Sequence, residues 1–396
     1  MSYITCGYCG NNPVPHKFYW YNESLNILLT PIRQRILYNG FTRFFKKNNW
    51  GNRLSLFFLE LGEWLLIIQR QSDVTKCKVR RAQVLWEEAL KRGINMQEIL
   101  VFGKSVDVYV AQKKVANTNS VIIFSGLPRP SGYLNKWLDL MDDKWLLKQE
   151  FKKTQLPVPE GAAVCTFSEA KSIFNKIQKP VIVKPRAGSR GRHSTTFIYT
   201  LDELRKAYKI AKQLCFWVMV EEQISGPIYR ATVINFELAG VLRGDAPNVI
   251  GDGMKTIAEL ISVKNKKKSS GVKEIVVDNA VENFLSRQNL KLTSVLMANR
   301  PVYLTEKIGV NYGGSSSEDF EICHPDNKEL FVSASKVLGD PIVGFDFIIP
   351  DITKSYKVQK CGFIEVNSLP FINLHHDPLL GKPQNVAGKV WKTINW

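Results

Sequence analysis

A β-branched run that ends in a lysine and a cationic glycine loop constrains this chain more than any other stretch. Between Pro180 and Thr196, Val181, Ile182 and Val183 read as a buried strand, Lys184-Pro185 closes it, and Arg186, Gly188, Arg190, Gly191, Arg192 and His193 follow. Glycines let backbone N–H groups approach an anion closely, and Arg and Lys neutralise it, so the pattern suits a bound polyphosphate. An ordinary solvated turn is built from the same residues, and the rest of the chain must decide between the two. Neither GxxxxGK[ST] nor GxGxxG occurs, so a nucleotide would need a scaffold other than the Walker or Rossmann loop.

With 396 residues, 44% of them hydrophobic, the chain can bury a substantial core and is expected to form two or more domains. Seven scattered cysteines without a signal peptide point to reduced thiols and a cytoplasmic location. The 54 Lys plus Arg against 36 Asp plus Glu leave a formal charge of +18, which calls for anionic partners. The longest apolar stretch, Leu54 to Ile68, contains Glu60 and Glu63; it is too short and too charged to span a bilayer and reads as a core helix. Before it, from Pro31 to Arg53, Arg33, Arg35, Arg43, Lys46, Lys47 and Arg53 alternate with Phe41, Phe44, Phe45 and Trp50. Such a segment serves at a membrane surface, on nucleic acid, or as a solvated basic face.

Along the chain, Cys6-Gly-Tyr-Cys9-Gly10 resembles one knuckle of a zinc ribbon, but no second CxxC follows and His16 alone does not complete four ligands. A packed or unstructured N-terminus is therefore expected. A strand is expected at Asn26 to Thr30 and a helix at Leu54 to Gln69. From Val79 to Arg92, Ala82, Leu85, Trp86, Ala89 and Leu90 form a helical face closed by Gly93. Strands at Glu98 to Phe102, Val106 to Ala111 and Ser120 to Phe124 complete a smaller N-terminal α/β domain over residues 1–130. The Pro/Gly loop Gly126 to Gly132 marks the boundary, and helical sequence with Leu134, Trp137, Leu138 and Met141 runs on to Lys153. Leu156-Pro-Val-Pro-Glu-Gly161 stops that helix. A helix at Leu201 to Leu214 follows, then a strand from Phe216 to Val220, a strand pair at Ala231 to Phe236 and Gly240 to Gly244, and a surface excursion at Lys264 to Lys268.

Two later strands place acceptors at their centres. In Gly362 to Asn367, Glu365 and Asn367 share one face, and in Val343 to Ile349, Asp346 lies opposite Phe345, Phe347 and Ile349. Paired as a hairpin across Pro350 to Cys361, they would bring Asp346, Glu365 and Asn367 together as oxygen ligands suited to Mg²⁺. Unpaired, each is a lone strand residue facing solvent.

These segments together resemble an ATP-grasp ligase, specifically the ATP-grasp portion of cyanophycin synthetase and of bifunctional glutathione synthetase. Nine collinear segments carry the resemblance: Leu156-Pro-Val-Pro-Glu-Gly161; Val183-Lys-Pro185 with the glycine loop; Val218-Met-Val-Glu221; Pro247 to Gly253 with Thr256 to Leu260; Gly313-Gly314; His324-Pro-Asp326; Gly344-Phe-Asp346; Ile364-Glu-Val-Asn367; and Gly381 to Ala387. The resemblance implies an α+β, ATP-grasp fold over residues 131–396, with two α+β subdomains clasping ATP and a lid at about 156–225. It also implies catalytic roles for Lys184 and Arg230, nucleotide contacts from Lys184, Gly188, Ser189, Arg190, Gly191, Glu221 and Glu222, and Asp346, Glu365 and Asn367 as ligands of Mg²⁺, two ions in all. A substrate carboxylate would take the γ-phosphate of ATP, and an amine would displace phosphate from the acylphosphate to form an amide. Amino acids or peptides are the implied substrates, with no nucleic acid and no transmembrane segment; homo-oligomerisation is left open.

The sequence departs from the family at His193, where a second glycine is usual, and at Pro227-Ile228, where Arg-Asp is usual. His375-His376-Asp377 follows the Glu365/Asn367 strand and reads as substrate or lid contacts rather than zinc ligands. The rival reading is a basic nucleic-acid- or membrane-surface-binding protein with a degenerate ATP-grasp fold.

Overall fold

The computed structural model describes residues 6, 8–9, 13–37, 50–115, 118–130, 141, 143–188, 191–305 and 307–396. Most of the basic Pro31 to Arg53 segment, the sequence from Leu134 to Leu138, and Ser189 and Arg190 lie outside them. The chain opens with helix α1 (His16–Leu37), which takes in the strand expected at Asn26 to Thr30. Five aliphatic or aromatic side chains at helical spacing, Phe18, Tyr21, Leu25, Leu28 and Ile32, explain that helix better than a period-two reading. Helix α2 (Trp50–Trp64) is shorter than expected: Leu66 takes a left-handed φ of 59°, and the chain turns into β1 (Ile68–Gln71). Nor is α2 a core helix. Leu59 is buried beside Ile99 and Val110, while Leu54, Phe57, Phe58 and Leu61 are exposed among the described residues.

Helix α3 (Arg80–Lys91) buries Ala82, Leu85, Trp86 and Ala89 as its periodicity requires, whereas Leu90 lies on the exposed side. Strands β2 (Asn95–Val101), β3 (Lys104–Val115) and β4 (Thr118–Ser125) add to β1 as an antiparallel meander. The core under this meander is not self-contained: Trp86, Ala89, Tyr109 and Phe124 pack in one cluster with Ile234, Ile342, Val390 and Trp391 from far along the chain.

Helix α4 (Lys144–Lys153) starts at Asp143, whose carboxylate caps the N–H groups of Trp145 and Leu146. Next come β5 (Gly161–Val164), α5 (Phe167–Lys176), β6 (Val181–Pro185), β7 (Thr195–Ile198), α6 (Leu201–Lys212) and β8 (Val218–Glu222). Thr166 with Glu169, and Thr200 with Glu203, form capping boxes that set the starts of α5 and α6. The strands form a sheet in the order β5-β8-β6-β7. Val181, Val183, Val218 and Val220 face the two helices, so alternation turns Lys184 and Glu221 to the opposite face.

The central sheet begins with the hairpin of β9 (Ile228–Ile234) and β10 (Glu237–Asp245). Its two-residue turn has Asn235 and Phe236 at φ 53° and 60°, the pair of positive values that a type I′ turn demands. A side lobe follows: β11 (Asn248–Ile250), α7 (Ile257–Lys266), α8 (Asn279–Ser286) and β12 (Pro301–Tyr303) enclose their own core around Ile257, Ile261, Leu285 and Val302. Lys264, expected on a surface excursion, belongs to α7 and donates to the Asn248 carbonyl at 2.6 Å. Then come β13 (Ser315–Glu318), α9 (Pro325–Leu338), β14 (Ile342–Ile348), β15 (Gly362–Asn367), α10 (Asn373–His376), β16 (Leu380–Gly381) and α11 (Val386–Thr393). The sheet order is β15-β14-β9-β10-β13-β16. One face packs Tyr229, Ala231, Phe345, Phe347 and Phe363 against α4 and α9 through Phe151 and Phe331. No described helix is long and apolar enough to cross a membrane.

Candidate active site

Strand β6 delivers Lys184 into a buried ion cluster. Its Nζ lies 2.9 Å from Glu221 Oε2, and the other carboxylate oxygen takes an ion pair from Lys148. Lys148, Glu221 and Lys184 are 2%, 1% and 9% exposed, so two ammonium groups share one carboxylate almost without water. Burial alone would raise the Glu221 carboxyl, but the Lys148 and Lys184 ammonium groups outweigh it and hold the group down at about 2. Burial also dominates at Lys148, pushing its ammonium down to about 7 against the pull of Glu221. The cluster thus carries surplus positive charge that an incoming phosphate would complement.

The loop after β6 is braced from α4. Arg186 grips Asp143 in a two-point pair, Nε to Oδ1 at 2.9 Å and Nη2 to Oδ2 at 2.7 Å, and the Lys144 ammonium donates to the Gly188 carbonyl. Gly188 and Gly191 adopt φ of 116° and 63°, backbone that L side chains rarely take. Glu222 at the end of β8 bonds away from the cluster: its N–H donates to the Glu160 carbonyl at 2.8 Å, and its carboxylate pairs with Lys360 at 2.6 Å. Lys148, Lys144 and Asp143 were not singled out from sequence, whereas Arg186, read there as part of the anion-binding loop, instead pairs with Asp143. The i, i+4 spacing of Lys144 and Lys148 on one helix face was the available signal.

The second half of the site lies on one face of the central sheet. β14 and β15 pair as the alternation required, with Asp346 opposite Glu365 and Gly344 opposite Asn367. On its other side β14 pairs with β9, setting Asp346 opposite Arg230 and Gly344 opposite Thr232. Arg230, Asp346, Glu365 and Asn367 therefore share a face. Arg230 donates to Asp346 through Nε at 2.9 Å and Nη2 at 3.2 Å, and the Asp346 charge raises the guanidinium pKa further. Among the described residues, the Glu365 and Asn367 side chains make no hydrogen bond. Three oxygen-bearing side chains, two of them without a hydrogen bond among the described residues, fit a hard divalent cation such as Mg²⁺.

The same face is floored by a fully buried triad. His375 Nδ1 lies 2.6 Å from Glu318 Oε2, its Nε2 is 2.7 Å from Thr232 Oγ1, and the Val241 N–H donates to Glu318 Oε1 at 2.7 Å. His375 sits over Gly240, where an added Cβ would fall 2.4 Å from the ring. The expected substrate or lid contact from His375-His376-Asp377 is corrected. His375 is wholly buried, His376 Nε2 accepts the Ala387 N–H at 3.0 Å, and Asp377 pairs with Arg80 at 2.9 Å. Burial decides the outcome for His375, because a wholly buried ring hydrogen-bonded on both nitrogens cannot reach a ligand. His375→Ala would strand the Glu318 carboxylate. Its expected cost is about 3–5 kcal/mol of stability, read from urea unfolding.

The fold around these groups is the ATP-grasp fold of α+β ligases, with the β5-β8-β6-β7 sheet presenting lysine and glycine loop and the six-stranded central sheet presenting arginine and carboxylates. No family model matches the chain. It is 32% identical over 262 residues to cyanophycin synthetase of Crocosphaera subtropica, covering 64% of this chain and 30% of that protein. It is 28% identical over 325 residues to the glutathione biosynthesis bifunctional protein GshAB of Clostridium perfringens, covering 78% and 40%. The crystal structure of a bifunctional glutathione synthetase from Pasteurella multocida superposes with a TM-score of 0.52 at 24% identity, over 79% of this chain and 42% of that one. The chain is thus a relative of these ATP-grasp ligases and spans less than half of the length of each.

Proposed function

We propose that the chain is an ATP-dependent carboxylate–amine ligase that forms an amide or peptide bond through an acylphosphate. The observation that carries this reading is the register that sets Arg230, Asp346, Glu365 and Asn367 on one sheet face, with the Lys184 loop supplied by the lid sheet. Residues 131–396 serve as the ATP-grasp unit and about 156–225 as its lid, while residues 1–130 shape substrate access. ATP lies between the sheets, with Lys184 and the Gly188, Ser189, Arg190 and Gly191 loop on its phosphates and Glu221 and Glu222 on the segment that receives the base. Mg²⁺, as two ions held by Asp346, Glu365 and Asn367, supplies neutralisation of phosphate charge. Arg230 steadies the transferred phosphoryl group, and lid closure keeps water from the acylphosphate. The protein would act in the cytoplasm on amino acids or short peptides.

The deciding experiment is Mg²⁺-dependent phosphate release from ATP with pooled amino acids and short peptides, using Glu365→Gln as control. Stimulation by one pool, absent in the control, supports the ligase. ATP bound without release in any pool would count against it.

One observation favours a further role for the N-terminal helices at an anionic membrane surface rather than on nucleic acid. The exposed stripe Phe18, Tyr21, Leu25, Leu28 and Ile32 on α1, and Leu54, Phe57, Phe58 and Leu61 on α2, flank the basic Pro31 to Arg53 segment. Leu25, Leu28, Ile32, Leu54 and Leu61 are aliphatic and suit lipid rather than phosphodiester. The chain is expected to sediment with phosphatidylserine vesicles, and Phe57→Ser with Phe58→Ser to weaken this at least several-fold. Equal recovery with and without vesicles would sink the idea.

A further inference from the structure

The N-terminal knuckle is completed by a residue from the loop between β6 and β7. Cys6, Cys9, His16 and His193 each offer one donor atom, and all four atoms lie within 4.8 Å of one another. His193 Nε2 is 3.5 Å from Cys6 Sγ and 3.4 Å from Cys9 Sγ, and His16 Nε2 is 3.3 Å from Cys9 Sγ. A tetrahedral zinc ion with Zn–S near 2.3 Å and Zn–N near 2.0–2.1 Å sets sulfur and nitrogen about 3.5 Å apart. The three sulfur–nitrogen distances are therefore those of a Cys₂His₂ site. Counting ligands along the sequence failed because the fourth stands 184 residues beyond Cys9.

The surroundings are built for the same purpose. The Cys9 N–H donates to the Cys6 carbonyl at 3.0 Å, closing the turn that brings both sulfurs to one side. His193 Nδ1 lies 2.8 Å from the Ile210 carbonyl, which holds the proton on Nδ1 and leaves the Nε2 lone pair directed at the cluster. His193 is fully buried and Cys9 almost so. His193 also adopts a left-handed φ of 53°, held by its N–H donating to the Tyr8 carbonyl at 3.1 Å. A histidine in that backbone region is uncommon, and here its ring is the link to the knuckle.

We propose that Cys6, Cys9, His16 and His193 form a structural Zn²⁺ site that fastens the N-terminal segment to the loop carrying the phosphate-binding glycines. Each cysteine loses its thiol proton as its sulfur–zinc bond forms, and the two histidines bind through Nε2. Two sulfurs and two imidazoles in a tetrahedral, closed arrangement select zinc over Mg²⁺. The clasp lays α1 along the lid: Ser24 Oγ accepts the Phe216 N–H at 3.0 Å, and the Tyr19 hydroxyl lies 3.3 Å from where a Cβ on Gly188 would stand. Zinc binding is independent of the ligase reading, so either can fail alone.

The test is elemental analysis of the full chain, purified without a histidine tag, together with the spectrum of the cobalt-substituted protein. About one zinc per chain is expected, and cobalt should show the visible bands of a tetrahedral thiolate site. His193→Gly and Cys6→Ser should each lose at least about tenfold in zinc affinity, whereas His193→Cys, a Cys₃His set, should retain the ion. Circular dichroism confirms that each variant folds, and Cys6, being only half-buried, serves if His193→Gly does not. Chelation should also speed protease cleavage between α1 and the lid. Substoichiometric zinc, full zinc retention in both Cys6→Ser and His193→Gly, or a Cys6–Cys9 disulfide in the purified chain would each overturn the proposal.

Discussion

Glu365→Gln is expected to lower Mg²⁺-dependent ATP turnover by roughly 10²–10³-fold while leaving urea unfolding unchanged, since it removes one charge from the cation site. The Glu365 side chain makes no hydrogen bond among the described residues, so its replacement breaks none and removes only a charge near Arg230. Asp346→Asn should cost as much activity and, in addition, some stability, because it also breaks the two-point pair with the half-buried Arg230. That contrast separates a ligand from a scaffold residue. Wild-type phosphate release in Glu365→Gln would refute the site, and equal destabilisation of both variants would refute the division of roles.

The second large effect is expected at Glu221, the hub of the buried ion cluster. Glu221→Gln removes the one carboxylate that pairs with Lys148 and Lys184 and should destabilise the β5-β8-β6-β7 sheet by about 3–5 kcal/mol in urea titrations. Lys148→Met should be close to neutral, since it removes the surplus charge and leaves Glu221 paired with Lys184. The pH dependence follows from the two shifts. Glu221 titrates near 2 in the folded chain against 4.5 ordinarily, so its stabilisation is present above about pH 4.5 and is lost as pH falls toward 2. Lys148 titrates near 7 against 10.5, so the native state binds fewer protons across that window and stability rises from pH 7 to 10.5. The upper rise should vanish in Lys148→Met. Its persistence there would assign it to another group.

Much of the site was legible where chemistry and local geometry coincide. Strand alternation already put Asp346 apart from Phe345 and Phe347, and Glu365 with Asn367, and the hairpin formed in the register that unites them. The Lys184 strand and its glycine loop were likewise local features. Strand limits were less legible: β8 runs on to Glu222, and Ile68 and Gln69 left the expected helix to join Arg70 and Gln71 in β1, which pairs with β2. In both cases a neighbouring strand supplied hydrogen bonds that the segment's own pattern could not reveal.

The amino-acid sequence by itself determined which residue types stand at the ends of which strands, and with them the phosphate and cation chemistry on offer. Tertiary structure alone decided which distant groups meet. Lys148 joins Glu221 across 73 residues, His375 joins Glu318 across 57, and His193 meets Cys9 across 184. Periodicity reports only on neighbours one or two turns away, while burial removes water from whichever polar groups the fold brings together. Those groups must then satisfy one another or bind an ion, and no local pattern records their choice.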